Sequence, residues 1–121
     1  IDDVGIEAAT RQAMIRAVGS LPQRPEYLLV DFVPLIECGL PVHALVGGDR
    51  ICYSIAAASI LAKVTRDELM VEADRKYPLY GFARHKGYPT AEHVRLLSVH
   101  GPSPIHRLSF RPLRSRMVLE G

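Results

Sequence analysis

Tyr27-Leu28-Leu29-Val30-Asp31 decides how this chain is read: a short continuous apolar run that ends in a carboxylate. Such a run, without polar alternation, predicts a buried strand of the parallel type. In open α/β sheets ligands gather at the carboxyl ends of strands, so Asp31 stands at a favourable position. After a connection rich in Pro34, Gly39 and Pro41, Val42-His43-Ala44-Leu45-Val46 predicts a second strand. Gly47-Gly48 then lets the chain turn tightly into Asp49. Two strand ends each present one carboxylate.

Helical patterns flank these strands. Ile6, Ala9, Ala13, Met14, Ala17 and Val18 recur at helical spacing, and Asp2-Asp3 in front of them suit an N-terminal cap and the helix dipole. Gly19-Ser20 and Pro22 end that helix. A long helix is expected from about Ser54 to Lys76, capped by Ser54, with Glu72 and Lys76 as an i,i+4 pair and Pro78 as its stop. Its first half, Ser54-Ile55-Ala56-Ala57-Ala58-Ser59, has one side bearing little more than methyls and hydroxyls, which admits close approach by another element or a nucleic acid strand. Gly81 to Pro89 reads as a loop, too rich in glycine and basic residues to be core. Thr90 caps a last helix to about Val99, closed by Gly101 and Pro102. The remainder, with Arg107, Arg111, Arg114 and Arg116, has weak periodicity and is expected to be irregular or a frayed helix. The class is α/β with two convincing strands; a two-stranded sheet is marginal alone, so strands are expected to be missing.

Composition bounds the rest. At 121 residues the chain holds one domain at most, and an apolar content of 48% fits a globular protein rather than a disordered one. No apolar run approaches the roughly 20 residues of a membrane span. Ile1-Asp2-Asp3 is not the start of a signal peptide, and the absence of an initiator Met points to a longer parent chain. Cys38 and Cys52 are expected to be ordinary part-buried thiols, with the cytoplasm as default location. Residues 1–80 carry eight Lys/Arg against eleven Asp/Glu, residues 81–121 seven against two. An acidic half beside a basic tail suits holding cations next to a polyanion.

Mg²⁺ and Mn²⁺ prefer hard oxygen ligands and leave positions open for phosphate oxygens. A pair of such ions roughly 3.5–4 Å apart activates water and stabilises the leaving oxygen of a phosphodiester. Asp31 and Asp49 are the candidate metal-binding and catalytic carboxylates; a turn or cap is the alternative for either alone. Asp67 is a candidate outer carboxylate, against a plain i,i+4 pair with Lys63. Tyr88 sits among Arg84, His85 and Lys86. Its ring suits stacking on a base or sugar and its hydroxyl suits reading a 2′-OH, against a loop anchor as the alternative. Lys86, Arg84 and Arg107 are candidate nucleic-acid contacts, while Tyr53, Tyr77 and Tyr80 are assigned to packing. His85, His93, His100 and His106 fall close together, and the last two have the spacing of some zinc sites. Cys38 and Cys52 are too far apart to complete such a site, so zinc is disfavoured. No phosphate-binding glycine loop occurs.

Taken in order, several of these segments resemble ribonuclease HII. They are Ser54 to Asp67, Tyr80-Gly81-Phe82, His85-Lys86-Gly87-Tyr88-Pro89-Thr90, Gly101-Pro102-Ser103-Pro104-Ile105-His106-Arg107 and Ser109-Phe110. Asp3-Val4-Gly5-Ile6, Ala9-Thr10 and Leu29-Val30-Asp31 extend the likeness to nearly the whole chain. The resemblance implies an incomplete ribonuclease H-like α/β fold of two core strands plus helices. Residues 1–121 would form a partial catalytic domain with a basic tail from about 101. It implies endonucleolytic cutting of the RNA strand of RNA–DNA hybrids and of DNA at single embedded ribonucleotides. Mg²⁺ or Mn²⁺ is the implied cofactor, the implied product ends are 3′-hydroxyl and 5′-phosphate, and the complete enzyme is expected to be a monomer. By motif, Asp31 and Asp49 match metal ligands, and Tyr88 matches the residue that recognises the ribonucleotide–deoxyribonucleotide junction.

Three departures stand out. The family's opening strand, with Gly-x-Asp-Glu and Gly-Arg-Gly, supplies two of four active-site carboxylates and is absent from this sequence. Phe32 stands where a Gly usually follows the Asp, and Gly47 replaces a usual Lys. The isolated chain is therefore expected to be inactive or nearly so. Two readings of other classes compete. A non-catalytic remnant would bind duplexes in a salt-sensitive way without Asp31 or Asp49. A protein-interaction module would have no nucleic-acid affinity.

Overall fold

The apolar runs become two parallel strands, β1 (Leu28–Asp31) and β2 (Val42–Leu45), in register from Leu28 opposite Val42 to Asp31 opposite Leu45. The computed structural model describes residues 1–111 and 113. It divides into two compact units, Ile1–Leu61 and a second that begins at Ala62.

In the first unit, alternate side chains of β1 point to opposite faces. Leu28 and Val30 turn inward and join Leu35 in a small core, against which Met14, Ile15 and Val18 of helix α1 (Ile6–Gly19) pack. Leu29, on the other face, is 42% exposed. The strand is therefore parallel, as its apolar run predicts, but buried on one face rather than two. Arg11 ties α1 to the connection between the strands, donating to the Pro34 carbonyl (2.9 Å) and pairing with Glu37 (3.1 Å). The acidic pair Asp2-Asp3 does not cap this helix. Gly5 does, at φ 83°, because a left-handed residue there folds the chain back and its N–H donates to the Ile1 carbonyl.

Past β2, Gly47 adopts a left-handed conformation and a one-turn helix α2 (Gly48–Ile51) follows. Extended Cys52 separates it from the long helix α3 (Tyr53–Lys76). Ser54 lies inside the first turn of α3 and is not its cap. Tyr53 is 97% exposed, so it does not pack as expected; the side chain that docks this turn is Ile55. The small residues Ala57, Ala58 and Ser59 are exposed, and so are Ile60, Leu61 and Val64 beyond them. Neither helical pair forms: Arg11–Glu37 and Arg84–Glu92 are the ion pairs among the described residues, and Lys76 instead lies over the Tyr77 ring.

The second unit is built around a segment whose composition reads as loop. Gly81, left-handed at φ 68°, lets Phe82 drop into the interior at the start of a one-turn helix α4 (Phe82–His85). Phe82 is 2% exposed and stacks on Tyr80 with ring centroids 5.5 Å apart. Leu97 and Leu113 complete this core, with Met70, Ala73 and Tyr77 packed against it. A single large apolar residue between glycine and basic residues has no periodicity to reveal it. Helix α5 (Ala91–His100) begins as its sequence predicts, with the Thr90 hydroxyl accepting the His93 N–H at 3.2 Å, and Gly101 closes it. Arg107 and Arg111 lie exposed in the turns that follow; Arg114 and Arg116 fall outside the described residues. Cys38 and Cys52 are both part-buried free thiols. No helix among the described residues is long and apolar enough to cross a membrane.

Candidate active site

Parallel pairing brings the carboxyl ends of β1 and β2 to one edge of the sheet. Asp31 closes β1 with its side chain on the exposed face. The chain leaving β2 turns at Gly47, and the first amide of α2 comes back toward β1: the Gly48 N–H donates to Asp31 Oδ1 at 3.0 Å. One oxygen of Asp31 is thereby oriented, and a charged acceptor makes such a bond stronger than a neutral one does. A side chain at 48 would require Ile55 to move. A Cβ there would stand 2.7 Å from Ile55 Cδ1 and 3.4 Å from Leu45 Cβ. Asp49 follows in the first turn of α2 and is exposed. Sequence reading placed it in a turn; it lies in a helical one.

Arg50 was not singled out from the sequence. Its guanidinium folds over Gly47, where a Cβ would meet Nη2 at 3.3 Å. Asp67 belongs to the second unit, where its Oδ1 is buried with no hydrogen-bond partner among the described residues.

The second unit carries the Tyr88 loop. Tyr88 is half exposed, and the Arg66 guanidinium lies over its ring, 5.1 Å from the centroid. The loop backbone is held closely: the Tyr88 N–H donates to the His85 carbonyl (2.9 Å), and the Tyr88 carbonyl accepts from Thr90 N–H (2.8 Å) and from His93 Nδ1 (2.9 Å). Lys86 is left-handed at φ 53° and ends α4. Arg84 is forked onto Glu92, Nη2 to Oε1 at 2.5 Å and Nε to Oε2 at 3.2 Å. That pairing holds Glu92 below and Arg84 above their ordinary pKa values, so the charge of Arg84 is already met within the protein. Arg107 lies over the Phe110 ring, 5.0 Å from its centroid. Together with Arg66 and Arg111 it lines a cleft of about 490 Å³ whose apolar wall includes Phe82, Leu97 and Phe110.

Comparison with known proteins settles the family. A model of the ribonuclease HII family matches residues 1–112. The chain belongs to the ribonuclease HII family. It is 54% identical over 115 residues to the ribonuclease HII of Solibacter usitatus, an alignment covering 95% of this chain and 50% of that protein. The ribonuclease HII of Dehalococcoides mccartyi is 53% identical (95% and 54% covered), and that of Herpetosiphon aurantiacus 55% identical (93% and 55% covered). The chain thus spans about half the length of the curated relatives it matches. An α/β arrangement of two parallel strands with helices is consistent with a piece of the ribonuclease H-like fold.

Membership gives the departures a structural meaning. Phe32, next to Asp31, is left-handed at φ 66° and 71% exposed. A glycine suits that backbone without strain, and Phe adopts it at a cost of roughly 1–2 kcal/mol. Gly47 is left-handed as well, so a lysine there would be strained in this backbone. The cation beside Gly47 in this ribonuclease HII chain is Arg50.

Mg²⁺ or Mn²⁺ can be tested against the residues present. Asp31 and Asp49 are hard oxygen donors at one sheet edge, and Asp31 keeps Oδ2 and part of Oδ1 free beyond the Gly48 bond. The chemistry of the donors suits these ions. Among the described residues no three His, Cys, Asp or Glu converge to hold a metal, so the set is partial.

Proposed function

We propose that this chain supplies two carboxylates and the ribonucleotide-reading loop of an endonuclease. The enzyme would cut the RNA strand of RNA–DNA hybrids and DNA duplexes at single embedded ribonucleotides, leaving 3′-hydroxyl and 5′-phosphate ends. The observation that carries the reading is the bond from the Gly48 N–H to Asp31 Oδ1, which joins the turn bearing Asp49 to the strand end bearing Asp31. In the proposal Asp31 and Asp49 hold Mg²⁺ or Mn²⁺, and Asp67 is an outer carboxylate. The bound metals supply Lewis-acid activation of water and of the leaving oxygen. Asp31 enters that ligand set with one oxygen already fixed, which lowers the reorganisation needed on binding. Tyr88 presents its ring to the sugar at the junction and its hydroxyl to the 2′-OH, with Arg66 steadying the ring from behind. Lys86 and Arg107 meet flanking phosphates; Arg84, already paired, contributes less.

Paramagnetic Mn²⁺ tests the metal role on this chain directly. With ¹⁵N-labelled protein, the amides of Phe32, Gly48 and Asp49 should broaden first, and Asp31→Asn should remove the effect. Uniform broadening, or broadening centred elsewhere, overturns the assignment. Cleavage is tested after the chain is joined to the preceding half of a ribonuclease HII, with an embedded-ribonucleotide duplex as substrate.

One observation favours a second reading for the chain by itself. Because the carboxylate set is partial, the isolated chain is expected to bind duplexes through its basic residues without cutting them. Duplex affinity that falls steeply with salt and is unchanged in Asp31→Asn would support that reading.

A further inference from the structure

Three imidazoles lie behind the Tyr88 loop, and none belongs to the carboxylate site. His85 is on α4, His93 on α5 and His106 in the turn after Ser103. The rings of His85 and His93 stack at 4.0 Å with 10° between their planes. His93 Nε2 and His106 Nε2 are 2.9 Å apart, close enough that one must donate and the other accept.

The neighbours decide which. A backbone N–H can only donate, so the Ser103 N–H, 2.9 Å from His106 Nδ1, finds that nitrogen unprotonated; the Ser103 hydroxyl lies 2.7 Å from it as well. The proton of His106 is therefore on Nε2 and is donated to His93. A carbonyl can only accept, so the bond between His93 Nδ1 and the Tyr88 carbonyl places the His93 proton on Nδ1. Both contacts require the same pair of tautomers. His85 obeys the same logic: its Nδ1 accepts the Gly87 N–H (3.1 Å) and its Nε2 donates to the Tyr80 carbonyl (2.5 Å). Each ring is neutral, with one donor and one acceptor in use. An added proton would face another donor in every case.

Two runs of bonds meet the loop, one through His85 and one through His106 and His93. Gly87 N–H and Tyr88 C=O belong to the peptide groups on either side of the Gly87-Tyr88 unit, and each is held by a histidine ring. We propose that His85, His93 and His106 are positioning residues: a one-directional line of neutral imidazoles from His106 through His93 to the Tyr88 carbonyl, with His85 stacked on His93 and accepting the Gly87 N–H, sets the backbone at Gly87-Tyr88 and thereby aims Tyr88 at the ribonucleotide. Among the described residues no hydrogen bond joins His106 to Tyr88; it acts on the loop through His93. The nucleic-acid part of this proposal rests on the function assigned above to Tyr88.

The surroundings agree with neutral rings. Burial is the main cause that lowers both values, holding His93 below its ordinary pKa and His106 at about 4, and the neighbouring histidines add to it. The charged groups nearby are the Arg84–Glu92 pair, Arg66 over Tyr88, Arg107 over Phe110, and Arg111 in the cleft wall. Tyr80, with His100 at its edge, and Phe82 form the aromatic surround. Among the described residues no carboxylate is hydrogen-bonded to any of the three rings.

Long-range ¹H–¹⁵N spectra of the histidine rings test the line of bonds on this chain. At pH 7, His106 and His85 should carry the proton on Nε2 and His93 on Nδ1. The opposite tautomer at His93, or a charged His106 at pH 6, overturns the proposal. Two variants then test positioning. Gln at 106 can donate to His93 and accept from Ser103, whereas Leu can do neither. His106→Leu should shift the Gly87 and Tyr88 amides and lower the preference for an embedded-ribonucleotide duplex over the all-DNA duplex by about tenfold, the worth of one aromatic stacking contact. Adding Tyr88→Ala should lower it no further, and His106→Gln should retain most of the preference. A His106→Leu chain that is merely less stable, with the amides and the preference unchanged, overturns the proposal; so does equal loss in Leu and Gln. If the unaltered chain shows no preference at all, the reading of Tyr88 fails, while tautomers and amide shifts still decide the positioning role.

Discussion

At the sheet edge Asp31 is held by one hydrogen bond, and both carboxylates are exposed. Around Tyr88, two buried imidazoles backed by a third, a helix cap and an arginine over the ring converge on four residues of loop. The contrast follows from what each region does in the proposed reaction. A carboxylate that binds a divalent cation needs free oxygens and gains its order from the metal. A residue that reads a sugar has no such partner to order it and must be placed beforehand.

The largest expected effect breaks the second region through its core. Phe82→Ala should destabilise that unit by about 3–5 kcal/mol, as deletion of a buried aromatic does, measured by urea unfolding. Loss under 1 kcal/mol would show that the segment from Gly81 to Pro89 is not core after all. Asp49→Asn sharpens the contrast from the other side. Joined to the preceding half of a ribonuclease HII, that variant should cut roughly a hundredfold more slowly. Its unfolding midpoint should stay unchanged, because the side chain is exposed. A drop in stability with intact cutting reverses the assignment.

Acid should separate the two regions in a direction fixed by linkage. His106 binds its proton at about 4 in the folded chain and near 6.5 when unfolded, and His93 is lowered in the same sense. Between those values the unfolded state holds more protons, so stability is full above about pH 6.5 and falls as pH drops toward 4. Amide protection in the second unit, measured against the intrinsic exchange rate at each pH, should fall across that window while that of the first changes little. Equal responses in both would remove the histidines as the cause. The smallest effect is a gain: Phe32→Gly should stabilise the first unit by up to about 1 kcal/mol by relieving the left-handed backbone, read as a higher melting temperature. No gain would mean that the glycine's extra freedom in the unfolded chain cancels the relief.

The parts legible in the sequence were those with a local cause. Apolar runs gave both strands and the sheet edge where Asp31 ends, and Thr90 three residues before His93 gave the start of α5. What escaped depends on partners far along the chain. The burial of Phe82 follows from a left-handed Gly81 and from Leu97 and Leu113, none of which shows as periodicity. The four histidines stand out in the sequence as a cluster in which zinc is disfavoured, but nothing local shows that the turn at Ser103 aims His106 at His93. Tyr53, expected to pack like Tyr77 and Tyr80, stays outside after the one-residue break at Cys52, with Ile55 taking the interior place.

That inward Ile55 has a further consequence. Its Cδ1 occupies the space that any side chain at 48 would need, while the amide of residue 48 holds Asp31. The two positions are therefore coupled: alanine at 48 should be harmful in this chain and far better tolerated once Ile55 has been shortened to valine. A history of substitutions through this site has a preferred order, with the helix side chain changing first and the glycine free to follow.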